Sequence, residues 1–272
     1  MCRILVSAYR RDSSIYRDFI EYFIRASEKD VLLEKISRYS SHGDGWGLAG
    51  IGLSSNKPVI FYQKSLLPVY HGISRDLLVN LISKTELYDE TYLLIHSRLA
   101  SKTEPLGEKY SHPYEERIGN KLILWFIHNG SVDKASLANT LGISDPWYYT
   151  DSWIATKYIA KNLETCITEK NIDHCIVTIY ENLRKYTRSA LNTGLLILYD
   201  QKPYLYASHY YIKDIEEQLD RREYYSLYAY QDQDIALIAS STIKHYSDHS
   251  MYQLEQGIYR VEPGKITLIH SF

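Results

Sequence analysis

A chain of 272 residues with 31 Lys+Arg against 33 Asp+Glu has a formal charge of −2 and is long enough to be read as one large domain, residues 1–272. The balanced charge and the lack of any basic block speak against nucleic acid as a partner. No apolar segment approaches the ~18–20 residues that cross a bilayer, and the N-terminus turns polar at Arg10, Arg11 and Asp12, unlike a signal peptide, so the expected location is the cytoplasm, with no membrane partner.

In chain order, the apolar run Ile4, Leu5, Val6 predicts a strand at 2–8. Two helical stretches follow: Ile15, Phe19, Phe23 and Ala26 share a face after the cap residues Asp12 and Ser13, and Leu32, Ile36 and Tyr39 share another. Strands are expected near 46–53 and 58–64, a helix at 74–84, and strands at 91–98 and 121–128. Helices at 133–141, 151–165 and 172–187 precede strands near 193–200, 203–210, 224–230, 234–240, 257–262 and 265–270. Strands in blocks and helices in blocks give an α+β chain, satisfied by two sheets packed on each other and each covered by helices. No linker, repeat or low-complexity block divides it. The 27 Tyr are read as core and amphipathic packing, since no basic groove accompanies them.

Of the three cysteines, Cys166 and Cys175 flank a short polar link between two helical stretches, where a disulfide is geometrically conceivable, but in the expected cytosolic compartment they are read as reduced, buried thiols without chemistry. Cys2 is different. Removing Met1 would place a thiol and a free α-amine on one residue, and an α-amine with a reference pKa of about 7.7–8 is matched to taking a thiol's proton near neutral pH. Polar clusters punctuate the apolar strands downstream: Ser41 to Gly47, His96-Ser97-Arg98-Leu99-Ala100-Ser101, Ser111-His112-Pro113-Tyr114, His128-Asn129-Gly130 and Tyr149-Thr150-Asp151-Ser152. Singly they read as turns and helix caps.

Together, Cys2-Arg3, Asp44-Gly45-Trp46-Gly47-Leu48-Ala49, His96-Ser97-Arg98, His112-Pro113, Phe126-Ile127-His128-Asn129-Gly130, Thr150-Asp151-Ser152 and Ile238-Ala239-Ser240-Ser241 follow a recognisable order. The chain resembles the class II glutamine amidotransferases of the N-terminal-nucleophile hydrolase superfamily, in particular their stand-alone members. That resemblance implies a four-layer αββα sandwich of two mostly antiparallel sheets between helical layers. It also implies hydrolysis of glutamine to glutamate and ammonia through a γ-glutamyl thioester on Cys2, without metal or organic cofactor. By the same resemblance the Asn129 side chain and the Gly130 N–H stabilise the oxyanion, Arg98 binds the α-carboxylate with a hydroxyl from Ser101, and Asp151 binds the α-ammonium. Asp44, His96, His112 and His128 become hydrogen-bonded supports around the thiol. The chain departs from the commoner pattern at Ser101-Lys102 and at Ser111.

Two other readings stand beside this one. A γ-glutamyl amide in a biosynthetic intermediate could replace free glutamine, because the same clamp would hold its glutamyl half. A metallohydrolase built on His42, Asp44, His96, His112 and His128 lacks helical ligand spacing and any zinc signature. With no acceptor domain expected after residue 272, ammonia would be released or handed to a separate acceptor enzyme.

Overall fold

The computed structural model describes residues 1–10, 14–102, 104–167 and 171–272. The chain opens with β1 (Cys2–Arg10), α1 (Ser14–Glu28), α2 (Val31–Ile36), β2 (Trp46–Ser54), β3 (Lys57–Ser65), α3 (Gly72–Thr85), β4 (Glu90–Arg98), β5 (Tyr114–Ile118) and β6 (Leu122–Val132). The helices α4 (Lys134–Leu141), α5 (Asp151–Cys166) and α6 (Ile172–Arg184) come next, then β7 (Thr187–Tyr199), β8 (Lys202–His209), α7 (Lys213–Glu216) and α8 (Leu219–Tyr225). The chain closes with β9 (Leu227–Gln231), β10 (Ile235–Ser240), α9 (Ser241–Tyr246), β11 (Tyr252–Gln253), β12 (Gly257–Glu262) and β13 (Lys265–Ser271). One sheet runs β11-β9-β10-β1-β4-β2-β3 and the other β13-β12-β8-β7-β6-β5.

Side chains alternate across a strand, and this period of two sorts every residue of the central strands into one of two layers. From β1, Ile4, Val6 and Ala8 enter the core between the sheets, where they meet Leu94 of β4, Trp125 and Ile127 of β6, and Leu196 of β7. Leu5 and Tyr9 face the other way, onto Phe19 and Phe23 of α1 and Leu78 of α3. The second sheet does the same in mirror image: Leu124 and Phe126 of β6 pack on Ile154 and Ile159 of α5 and on Ile176 of α6. The result is the expected αββα sandwich.

By the same parity Cys2 points between the sheets and Arg3 toward the helical layer. There Arg3 is fully buried and pairs through Nε with Asp30, the N-cap of α2. Asp30 also accepts from Leu32 N at 3.1 Å, Leu33 N at 3.0 Å and Thr242 Oγ1 at 2.6 Å, and pairs with His42 Nε2 at 2.7 Å. One carboxylate thereby ties β1, α2, the loop before β2 and α9 into a single unit. The Arg3 guanidinium lies 3.9 Å from the centre of the Tyr224 ring, which adds α8 to the cluster.

Several boundaries differ from expectation for identifiable reasons. β6 continues past Asn129 and Gly130 to Val132, and β7 follows it, starting at Thr187 rather than 193; α6 therefore stops at Arg184. The aromatic run at Tyr224 and Tyr225, read as the start of a strand, ends α8 instead, with both rings buried against Leu32 and Leu33 of α2. Tyr39 lies beyond α2 and is exposed. The segments α7, α8, α9, β5 and β11 are too short to carry a period, and the Asp12 and Ser13 caps lie outside the described residues. The expectation of two reduced thiols is corrected: Cys166, the last residue of α5, is disulfide-bonded to Cys175 in the first turns of α6, their Cα atoms 5.7 Å apart.

Burial pushes the Asp30 carboxyl up, but Arg3 and His42 outweigh it and hold the group well below the usual carboxylate range. Its contribution to stability is therefore complete above the unfolded value of about 3.9 and is lost as the pH falls through the acid range toward its folded value. Asp30→Ala is expected to destabilise the fold by about 3–5 kcal/mol in urea unfolding at pH 7, because it leaves the Arg3 charge buried without its partner. It should also flatten the acid limb of the stability curve.

Candidate functional site

The antiparallel register sets Cys2 opposite Arg98 and Ile4 opposite His96. Even-numbered residues of β4 face the second sheet, so His96 and Arg98 emerge on the same side as Cys2. On β6 the odd residues face inward, which brings Asn129 to the thiol, while His128 turns toward α5. The Cys2 backbone N donates to Asn129 Oδ1 at 2.9 Å, and the Cys2 Sγ lies 3.9 Å from Leu99 O. Cys2, Arg98, Leu99, Ser101, His112, Gly130 and Asp151 line one pocket of roughly 350 Å³, counting its open mouth. Met1 forms part of its wall, its ammonium donating to Leu99 O at 3.0 Å.

Burial pushes the Cys2 thiol up, but the Met1 ammonium and the nearby His96 outweigh burial and hold it well below the ordinary thiol range. Asn129 is buried, and its Nδ2 has no hydrogen-bond partner among the described residues. A side chain at Gly130 would overlap the Ala190 carbonyl and come within 2.8 Å of His128 Nε2, so only glycine lets β6 pass this point.

Arg98 is also buried. Its Nη2 donates to Pro105 O at 2.9 Å, and its Nη1 has no partner among the described residues. Asp44 steadies the loop that follows: its N donates to Arg98 O at 3.0 Å and its Oδ2 accepts from Ala100 N at 2.8 Å. Ser101, at the end of that loop, lines the pocket from an exposed position.

The three histidines split by strand and parity. His96 Nε2 lies 3.3 Å from His128 O, and the His112 ring packs over it with centroids 4.0 Å apart. His112 is buried with neither ring nitrogen partnered among the described residues. Burial and the neighbouring His96, His128, Arg98 and Lys64 push it well below the ordinary histidine range, so it is a neutral wall of the pocket. Gly47 allows this approach, because a Cβ there would overlap the His112 carbonyl. His128 bridges Ser152 Oγ and Ala190 O at 3.0 Å each, and burial lowers its pKa despite the nearby Asp151 charge. His42 sits on Asp30 in the helical layer instead. Among the described residues no group of three or more His, Cys, Asp or Glu side chains could hold a metal ion.

Asp151 opens α5 after the Thr150 cap and lines the pocket. Its carboxylate already accepts from Val132 N at 3.0 Å, Ser152 N at 2.6 Å and Ser152 Oγ at 3.1 Å. Every site residue expected from sequence thus gathers at one end of the sandwich. The expectation omitted Glu104 and its partner Lys134, whose Nζ lies 2.7 Å from Glu104 Oε1; Glu104 lines the pocket from an irregular loop, where no periodicity or motif marks it.

No family model and no curated protein sequence matches this chain. Solved structures do. The structure of the allosteric regulatory enzyme of purine biosynthesis is similar with a TM-score of 0.56 at 13% identity, over 97% of this chain and 48% of that one. The glutamine phosphoribosylpyrophosphate amidotransferase from B. subtilis is similar with a TM-score of 0.51 at 12% identity, over 97% of this chain and 49% of that one. The chain thus spans about half the length of these two proteins. What it shares with them is the fold, an αββα sandwich, which in this chain begins at a strand carrying Cys2.

Proposed function

We propose that this protein hydrolyses the side-chain amide of glutamine, with Cys2 as nucleophile once Met1 has been removed. The observation that carries this reading is the pairing of a buried thiol with two buried donors that lack partners among the described residues, Asn129 Nδ2 and Arg98 Nη1. A buried donor without an acceptor costs free energy, and a ligand carrying an amide oxygen and a carboxylate would satisfy both. Glutamine carries both groups. That the similar B. subtilis enzyme is a glutamine amidotransferase agrees with this choice.

The chemistry follows from the positions. The Cys2 sulfur attacks the amide carbon, forming a C–S bond, while its own α-amine takes the thiol proton. Asn129 holds that nitrogen through Oδ1 and offers Nδ2 to the oxygen on which negative charge develops, with the Gly130 N–H as second donor. Collapse breaks the C–N bond, and the proton carried by the α-amine leaves with ammonia. Water then attacks the thioester with the amine as base, the C–S bond breaks, and glutamate and the free thiol result. Arg98 holds the α-carboxylate throughout.

Retention of Met1, enforced by an N-terminal tag, should abolish turnover while circular dichroism and melting stay unchanged; activity with Met1 retained would refute the amine's role. In the processed enzyme Asn129→Ala should lower kcat about a hundredfold or more with little change in KM, whereas Arg98→Ala should chiefly raise KM for glutamine. Equal modest losses would contradict the assignment. Since the thiolate is the reactive form, alkylation of Cys2 in the protein that retains Met1, by a small haloacetamide and followed by mass spectrometry, should keep its plateau rate as the pH falls through the ordinary thiol range near about 8.5 and decline only in more acidic buffer.

A further inference from the structure

Met1 is seated rather than frayed. Its ammonium donates to Leu99 O at 3.0 Å and its carbonyl accepts from Leu99 N at 3.1 Å, so it extends the pairing of β1 with β4 by one residue beyond Cys2 and Arg98. Its side chain packs, partly buried, against an apolar cluster that includes Leu33 of α2, Leu99, Ala190 of β7, Tyr211 and Tyr225 of α8. The same residue lines the pocket beside Cys2 and Arg98. Removing Met1 would therefore do two things at one place. It frees the α-amine, and it joins the pocket to the apolar recess that held the methionine side chain.

The amine decides which part of a substrate meets that recess. In the proposed reaction the departing nitrogen takes its proton from the Cys2 α-amine, so the two nitrogens must come within hydrogen-bond reach, about 3 Å. Before processing, this same Cys2 nitrogen is bonded to the Met1 carbonyl carbon. A group carried on the departing nitrogen thus starts next to the place where Met1 started, while the α-carboxylate end is held at Arg98.

We infer that the processed pocket takes glutamine side-chain amides that carry an apolar substituent on the amide nitrogen, about the size of a methionine side chain, and releases an alkylamine in place of ammonia. The inference rests on the glutamine reading above and narrows its substrate class. The bonds are those already given: C–S forms, C–N breaks, the thiol proton passes through the α-amine to the departing amine, and water releases glutamate. Each methylene moved from water into such a recess is worth about fourfold in affinity. Unsubstituted glutamine leaves the recess empty.

The test uses enzyme whose loss of Met1 is verified by intact mass, and compares L-glutamine with N5-butyl-L-glutamine and with N5-(3-carboxypropyl)-L-glutamine, which is similar in length but ends in a charge. The butyl compound should show kcat/KM about tenfold or more above that of L-glutamine, mainly through a lower KM, and the carboxypropyl compound should show no gain. Because turnover also reports the departing group, binding is measured separately by calorimetry on processed Cys2→Ala protein, which keeps the α-amine. There the butyl compound should bind about tenfold or more tightly than L-glutamine, and the advantage should vanish when an N-terminal tag retains Met1. Equal or weaker binding of the butyl compound, or a carboxypropyl compound that matches it, would overturn the inference. An advantage that survives with Met1 in place would overturn it too, by seating the substituent elsewhere. If processed enzyme neither binds nor turns over any of the three amides, the glutamine reading fails and this one falls with it; turnover of L-glutamine without a butyl preference refutes the substrate class alone.

Discussion

The hydrogen bond from the Cys2 backbone nitrogen to Asn129 Oδ1 joins the first residue of one sheet to a strand of the other at the point where the sandwich opens to solvent. It can form only because two independent parities agree. Counting along β1 puts even residues between the sheets, counting along β6 puts odd residues there, and the residues that result are a thiol and an amide. A one-residue slip of either strand would send Arg3 or His128 into that gap and the reactive groups into the helical layers. Fixing those parities is the work of the inter-sheet core, where Ile4, Val6, Trp125 and Ile127 can be buried in one register only.

Two electrostatic environments meet across β1. On its helical side both oxygens of Asp30 are engaged and the Arg3 charge is neutralised, while Arg3 Nη2, His42 Nδ1 and the Tyr224 hydroxyl lack partners among the described residues. On its pocket side the polar groups are incomplete: Asn129, Arg98, His112 and Glu104 each retain at least one buried atom without a partner among the described residues. A folded protein usually satisfies such atoms internally. The difference lies in the charges: around Asp30 the buried charges are paired with one another, whereas beside the thiol the Arg98 guanidinium lines a pocket with one nitrogen unpartnered among the described residues.

How much of this was readable in the sequence follows from the same geometry. Cys2, His96 and Arg98 lie at or near strand ends and Asn129 follows a long apolar run in β6, so polar residues interrupting a period of two stood out and fell into a familiar order. The four-layer architecture was equally visible, because the long helices α1, α5 and α6 each carry an apolar stripe and the strands come in blocks. Glu104 was not visible: one glutamate in an irregular loop has no pattern, and only the path of the chain around Pro105 brings it back over Arg98. Asp30 looked like any polar residue between two helices, since its value as cap and ion-pair partner depends on Arg3, which is distant in sequence. The disulfide between Cys166 and Cys175 was open to geometry but was judged against the expected compartment rather than against the packing of α5 on α6.

The position of β1 in its sheet bears on how the molecule is made. It lies between β4 and β10, and its pairing with β10 joins residues 5–9 to residues 235–239. Contacts of such long separation close late, and β1 cannot be enclosed on both sides until β10 has been synthesised. Until then β1 has an unpaired edge. On the proposed reading, in which Met1 is removed, topology would order that trimming ahead of enclosure by β10.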